Sequence, residues 1–216
     1  MLLKISAVLG LIPDDTHDPS LVRVYSCKQF VSIHMYIYCA RARVRKLMNN
    51  MDYNPGMALT LRSYEPHDFA ALHRLDQACF PVGISYSKTT LHYFLTLASA
   101  DCVVATDGMR LLGFVLSEEN SPLAHIITLD VAEKARRHGV GSALLQQLES
   151  NLAARGVRSV LLETATDNEA AVAFWQRHGY RIEATLKRYY LRRIDAYEMR
   201  KILPGAAPAK PAKKES

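Results

Sequence analysis

The chain has 216 residues, 49% of them hydrophobic and 22% charged, and a formal net charge of +6 at neutral pH. Such a composition holds enough apolar material for one sizeable core and excludes a collagen-like chain, a disulfide scaffold and wholesale disorder. The excess charge does not mark a nucleic-acid face, because residues 57–203 carry 17 Lys/Arg against 16 Asp/Glu and the basicity sits at the two ends.

Residues 1–56 show no sustained period of two or 3.6 and read as an N-terminal extension, loosely ordered or begun upstream of a true start at Met51 or Met57. A basic amphipathic helix over 29–48, bearing Arg41, Arg43, Arg45 and Lys46, is the membrane-surface alternative for this stretch. The opening MLLKISAVLGLIPDD lacks the small-residue cleavage site of a signal peptide, and no run of 18 apolar residues predicts a span. Clean patterning starts with the alternating strand LTLRSY at 59–64. Pro66 and Asp68 then open a helix carrying Phe69, Leu72, Leu75 and Cys79 on one stripe, and Ser87 caps a second helix running through Leu97. Strands follow at 102–106 and 111–117 around the Asp107-Gly108 turn, and a β-branched strand at 125–131. A helix over 139–155 closes at Gly156, a strand covers 159–164, and a helix over 168–178 closes at Gly179. Strands at 180–186 and 194–202 complete a mixed α/β sheet domain over 57–203. Residues 204–216 are rich in Pro, Ala and Lys and read as a disordered tail.

Cys27, Cys39, Cys79 and Cys102 form no CxxC pair, so they predict reduced thiols in a cytoplasmic protein and no metal site. The chemistry concentrates in ITLDVAEKARRHGVGSALLQQLE, where a strand enters a basic glycine-bearing turn that opens into a helix. Arg136-x-x-Gly139-x-Gly141 lets backbone N–H groups converge at a helix N-terminus, with Arg136 or Arg137 adding charge. That is a pyrophosphate site in outline, although an ordinary basic turn capping a helix has the same letters. Neither a three-glycine dinucleotide fingerprint nor a Gly-Lys-Ser/Thr loop is present.

This segment, followed by LLETATDNEAAVAFWQRHGY, resembles in motif order the GNAT acyl-CoA-dependent acetyltransferases over roughly residues 58–203. Three further pieces are similar to the RimI-like N-terminal protein acetyltransferases within that group: CFPVGISYS (79–87), HIITLDV (125–131) and KRYYLRRIDAYEMRK (187–201). The resemblance implies a mostly antiparallel central sheet of about seven strands flanked by about four helices, with acetyl-CoA as acyl donor. By the same resemblance, the backbone of Leu129, Asp130 and Val131 pairs with the pantetheine arm. Arg136, Arg137, His138, Gly139, Val140, Gly141 and Ser142 form the pyrophosphate cradle, and Asn168 and Trp175 lie beside the cofactor. Glu163 falls at the general base and His125 at a second one. Phe80, Pro81, Val82 and Tyr86 line one wall of a peptide groove, and Tyr189 with Tyr190 the other. Members of the group usually carry a tyrosine, as general acid or cofactor contact, where Phe174-Trp175 stands; an indole donates a hydrogen bond but delivers no proton at neutral pH.

The implied reaction is direct transfer of acetyl to the α-amine of a protein N-terminus, without a covalent enzyme intermediate. A monomer or weak dimer with a peptide partner, no nucleic acid and no membrane is expected. An α-amine titrates near ~8 against about 10.4 for lysine, so a modest base such as Glu163 suffices to free it. Acetylation of a small amine such as an antibiotic or polyamine, and a non-catalytic acyl-CoA-binding module, are the alternatives. Residue by residue, plainer roles stand beside these: an arginine partner for Glu163, solvation for His125, a structural hydrogen bond for Asp130, and ordinary strand positions for Tyr189 and Tyr190. His138 and His178 read as turn and helix-end residues.

Overall fold

The computed structural model describes residues 59–108 and 110–204. The predicted N-terminal extension, its basic helix and almost all of the Pro/Ala/Lys tail lie outside them. Within them run β1 (Thr60–Ser63), α1 (Phe69–Cys79), α2 (Lys88–Thr96), β2 (Ala100–Thr106), β3 (Leu111–Asn120) and β4 (Leu123–Val131). There follow α3 (Val140–Ala154), β5 (Ser159–Ala165), α4 (Glu169–Arg177), β6 (Arg181–Tyr190) and β7 (Ile194–Ile202). The seven strands form one sheet in the order β1-β2-β3-β4-β5-β7-β6. Every pairing is antiparallel except that of β4 with β5.

Local chemistry accounts for the boundaries. The Ser87 side chain accepts from the Thr90 N–H at 3.0 Å and starts α2. Gly139, at φ +84°, turns the chain into α3. The α3 stripe Leu144, Leu145, Leu148 and Leu152 is fully buried and forms one core with β2, β3, β4 and β5, joined by Trp175 and Tyr180. Burying each such leucine stabilises the fold by roughly 1.5–3 kcal/mol. At the centre β3 passes so close to β4 that a Cβ on Gly113 would lie 2.6 Å from the Asp130 carbonyl and 3.1 Å from Leu144 Cδ1. Because backbone cannot yield as a side-chain tip can, Gly113→Ala is expected to destabilise by about 1–3 kcal/mol, read as a lowered urea midpoint at unchanged slope.

Two departures from regular pairing position the site. The parallel pairing of β4 with β5 stops at His125↔Leu161, so the rest of both strands diverges. Strand β6 runs to Tyr190, four residues past its predicted end, with a register shift between Leu186 and Tyr190. The predicted boundary fell short because Lys187 and Arg188 look like a turn, and Arg188 does adopt φ +53° inside the strand.

Candidate active site

His125 is the last residue of β4 paired with β5, and Glu163 stands two residues along β5 from its partner Leu161. The divergence of the strands thus opens beside both side chains. His125 Nε2 lies 2.9 Å from Glu163 Oε2, with the glutamate side chain 8% exposed and the imidazole 21% exposed. Tyr189 makes a side-chain hydrogen bond to Glu163 as well. Burial, followed by the Glu163 charge, pushes the Tyr189 phenol well above its ordinary value, so it stays protonated and donates. The partners of Glu163 are therefore a histidine and a tyrosine rather than an arginine. Across the β5–β7 register Glu163 faces Glu198, whose carboxyl is raised by burial and then by the Glu163 charge.

The loop after α1 supplies a second wall. Tyr86 is buried, its ring edge-on to Phe94 with centroids 5.8 Å apart, and its hydroxyl donates to the Ile127 carbonyl at 3.4 Å. Phe80 is also buried, whereas Val82 is 94% exposed. A Cβ on Gly83 would sit 3.1 Å from Leu191 Cδ2, so this loop meets the turn between β6 and β7. Tyr189 and Tyr190 stand just before that turn, their rings edge-to-face at 4.9 Å.

Asp76, which the sequence pattern does not single out, holds this loop. Its Oδ2 accepts from the Tyr86 backbone N–H at 2.8 Å and from Gln77 Nε2 at 3.1 Å, while Gln77 Nε2 also donates to the Tyr86 carbonyl at 2.8 Å. The signal was available: an acid next to Leu75 and four residues after Leu72 lies on the apolar stripe of α1. Asp130 is buried too; its Oδ1 accepts from Thr128 Oγ1 at 2.7 Å, a structural hydrogen bond. Asp76 Oδ1 and Asp130 Oδ2 have no hydrogen-bond partner. Burial pushes Asp76 up to about 7, and burial plus the Asp76 charge lifts Asp130 well above the carboxylate range.

The turn before α3 has the features of an anion cradle. Arg137 at φ +63° and Gly139 at φ +84° bend the backbone, and α3 begins without a side-chain cap, leaving its first N–H groups to an outside acceptor. Space above Gly139 is open, with nothing within 4 Å of a Cβ placed there. Val140 is buried in the core, and Gly141 packs toward the Phe174 ring. Arg136 turns inward, donating from Nε to the Val131 carbonyl at 2.9 Å and from Nη2 to Cys79 Sγ at 3.5 Å. Arg137 is the exposed cation of the turn. His138 contacts the Arg136 carbonyl at 2.7 Å, and Ser142 Oγ lies 3.0 Å from His178 Nε2. Asn168 caps α4, accepting from the Ala171 N–H at 3.1 Å. Trp175 is fully buried in the main core between Phe174 and Tyr180, and its Nε1 has no hydrogen-bond partner. Beyond His125 the edge of β4 holding Leu129, Asp130 and Val131 has no strand beside it on the β5 side among the described residues. A cleft edged by free β backbone and ending at a helix N-terminus fits an extended amide-bearing arm with a pyrophosphate at its end. Gly139→Ala is expected to strain this turn without filling it and to weaken binding of a pyrophosphate-bearing ligand several-fold, read by titration calorimetry.

Among the described residues no group of three or more His, Cys, Asp or Glu could hold a metal ion, and no helix is long and apolar enough to cross a membrane.

Residues 69–180 match the model of the acetyltransferase (GNAT) family. The chain is 32% identical over 117 residues to N-alpha-acetyltransferase 30 of Schizosaccharomyces pombe, covering 52% of this chain and 78% of that protein. It is 30% identical over 152 residues to the ribosomal protein bS18-alanine N-acetyltransferase of Escherichia coli, covering 64% and 91%. Among solved structures it resembles Ard1 of Thermoplasma volcanium with a TM-score of 0.63 and 31% identity, over 68% of this chain and 98% of that one. The protein belongs to the GNAT acetyltransferases. It is an acetyl-CoA-dependent N-acetyltransferase, built as the mostly antiparallel seven-stranded sheet with four helices that the resemblance implied.

Proposed function

We propose that residues 57–203 transfer acetyl to the α-amino group of a protein or peptide N-terminus, with Glu163 as the base. The observation that carries this reading is the Glu163–His125 pair, 2.9 Å apart at the β4–β5 divergence, with the Tyr189 hydroxyl bonded to the same glutamate. The names of the relatives, N-alpha-acetyltransferase 30 and bS18-alanine N-acetyltransferase, support the same substrate class.

Acetyl-CoA supplies an acetyl group activated as a thioester. The chain would hold its pantetheine arm along the free edge at Leu129–Val131 and its pyrophosphate on the N–H groups of residues 137–142, with Arg137 adding positive charge. The α-ammonium of the substrate loses its proton to Glu163, directly or through one water. His125, in contact with the same carboxylate and the more exposed of the two, hands that proton on toward solvent. The Tyr189 hydroxyl holds the carboxylate in place while donating to it, so the base does not swing away when the amine arrives. Tyr86, fixed through Asp76 and Gln77, and Tyr189 with Tyr190 flank the peptide.

Thiol release from acetyl-CoA, followed with peptides bearing free or blocked N-termini, a lysine-only peptide, polyamines and aminoglycosides, tests the reading. Turnover confined to free N-termini is the expected result. Turnover of small amines alone would overturn the peptide substrate while leaving the family untouched, and cofactor binding without any turnover would make the chain a binding module.

A further inference from the structure

Among the described residues, backbone strain concentrates at the end of β6 and in the turn that joins it to β7. Arg188, Leu191 and Arg192 all adopt left-handed φ, at 53°, 52° and 56°. A non-glycine residue in that region is strained, so a turn chosen for folding alone would carry Gly or Asn at such positions. The stretch carries side chains instead, and they are cationic: Lys187 and Arg188 stand near the end of β6 and Arg192 and Arg193 in the turn itself, all four exposed. Asp195, the acid nearest in sequence, is already used, since it accepts from Lys187 Nζ at 2.8 Å and from the Arg188 backbone N–H at 2.8 Å. Arg192 and Arg193 make no ion pair among the described residues, unlike Arg62, Arg155 and Arg200, which are held by Asp68, by Asp101 with Glu119, and by Glu183.

The position of the turn gives these cations a substrate to meet. Leu191 packs toward Gly83 of the loop after α1, and Tyr189, two residues earlier, touches Glu163. The site is therefore polarised, with the carboxylates of Glu163 and Glu198 inside, where an ammonium enters, and arginines at the rim. Arg192 follows Tyr189 by only three residues, a stretch that spans at most about 11 Å even when fully extended and less through this turn. A peptide whose α-amine reaches Glu163 passes this rim at about its third to fifth residue.

We propose that Arg192 and Arg193 select substrates with aspartate or glutamate at about the third to fifth position. The inference rests on the N-terminal acetylation reading and deepens it. Exposed charge pairs are individually weak and screened by salt, so two of them should favour an acidic over a neutral peptide by roughly three- to thirtyfold in kcat/KM. The difference should reside in KM.

The test compares peptides of one length with Asp, Ser or Lys at positions three to five and the same first two residues, at low and high salt, for the wild-type chain, Arg192→Gly/Arg193→Ser and Arg192→Glu/Arg193→Glu. The glycine variant removes charge while relieving the strain at 192, so a folding defect cannot imitate the effect. The expected result is an Asp-over-Ser preference that shrinks at high salt, vanishes in the neutral variant and turns into a Lys preference in the reversed one. Equal use of the three peptides by the wild-type chain, or a preference that survives in both variants, would overturn this proposal alone. Failure to acetylate any free N-terminus would overturn the acetylation reading and this proposal with it.

Discussion

Glu163→Gln is expected to lower kcat by roughly 10²–10⁴, the range that a positioned general base contributes, with the KM for acetyl-CoA little changed. The separation follows from where the parts sit. The proposed cradle is built on residues 137–142 at the start of α3, while Glu163 lies on β5 beside the strand divergence. Glutamine keeps the length and volume of the side chain, and its amide oxygen can still accept from Tyr189, so the variant should fold and bind cofactor. What it loses is the ability to take a proton from an ammonium ion. Raising the pH should restore part of its activity, because a larger fraction of the amine is then already neutral; a charge effect on cofactor binding would show no such rescue. His125→Gln and Tyr189→Phe should each cost less than Glu163→Gln, since both act on the same carboxylate, and the three effects should be far from additive. Unchanged turnover in Glu163→Gln would remove the residue from the mechanism and move attention to Glu198.

Much of the fold was legible because its punctuation is chemical. Ser87, Gly139, Gly156 and Gly179 each stand at a helix boundary that side-chain hydrogen bonding or positive φ demands. Alternating and β-branched runs located all seven strands. The site was legible only residue by residue. His125 and Glu163 are 38 positions apart, and nothing in either strand's own pattern says that β4 and β5 are neighbours, let alone that they part just beyond these side chains. The resemblance placed a base at each position, and the strand divergence and the contact between the two side chains came from the structure. Arg136 reads as a charge for the turn because a basic turn looks alike whichever way its arginines point. Its guanidinium goes instead to the Val131 carbonyl and Cys79, leaving the outward role to Arg137. Glu198 was hidden for the opposite reason, since it sits among strand letters that are ordinary for a surface and only the register across from Glu163 gives it a place in the site, whereas Asp76 was marked by its position on the apolar stripe of α1.

The enclosed pair Asp76 and Asp130 should make the protein lose stability as the pH rises from about 4 to about 7. In the unfolded chain both carboxyls titrate near ~3.9. In the fold, burial lifts Asp76 to about 7, and burial followed by the Asp76 charge lifts Asp130 well above the usual range. Between these values the folded protein holds protons that the unfolded chain has released. The difference in bound protons then favours unfolding as pH increases, by about 1.4 kcal/mol per pH unit for each extra proton. Arg136 moderates the effect on Asp130, as do the donors Thr128 to Asp130 and Gln77 and Tyr86 to Asp76; Cys79 nearby stays a neutral thiol because burial pushes it up. Asp68 runs the other way: paired with Arg62, it is held below its ordinary value and costs stability only as the pH falls through that lowered range. Urea midpoints should therefore peak near pH 4–5 and decline toward neutrality. Asp76→Asn carries an acceptor for the Tyr86 N–H and no proton to lose, so its midpoints should fall less steeply by about one proton's worth of slope over that window. A wild-type slope retained in full by Asp76→Asn would mean that other groups carry the titration and that this aspartate is simply the cap of a loop.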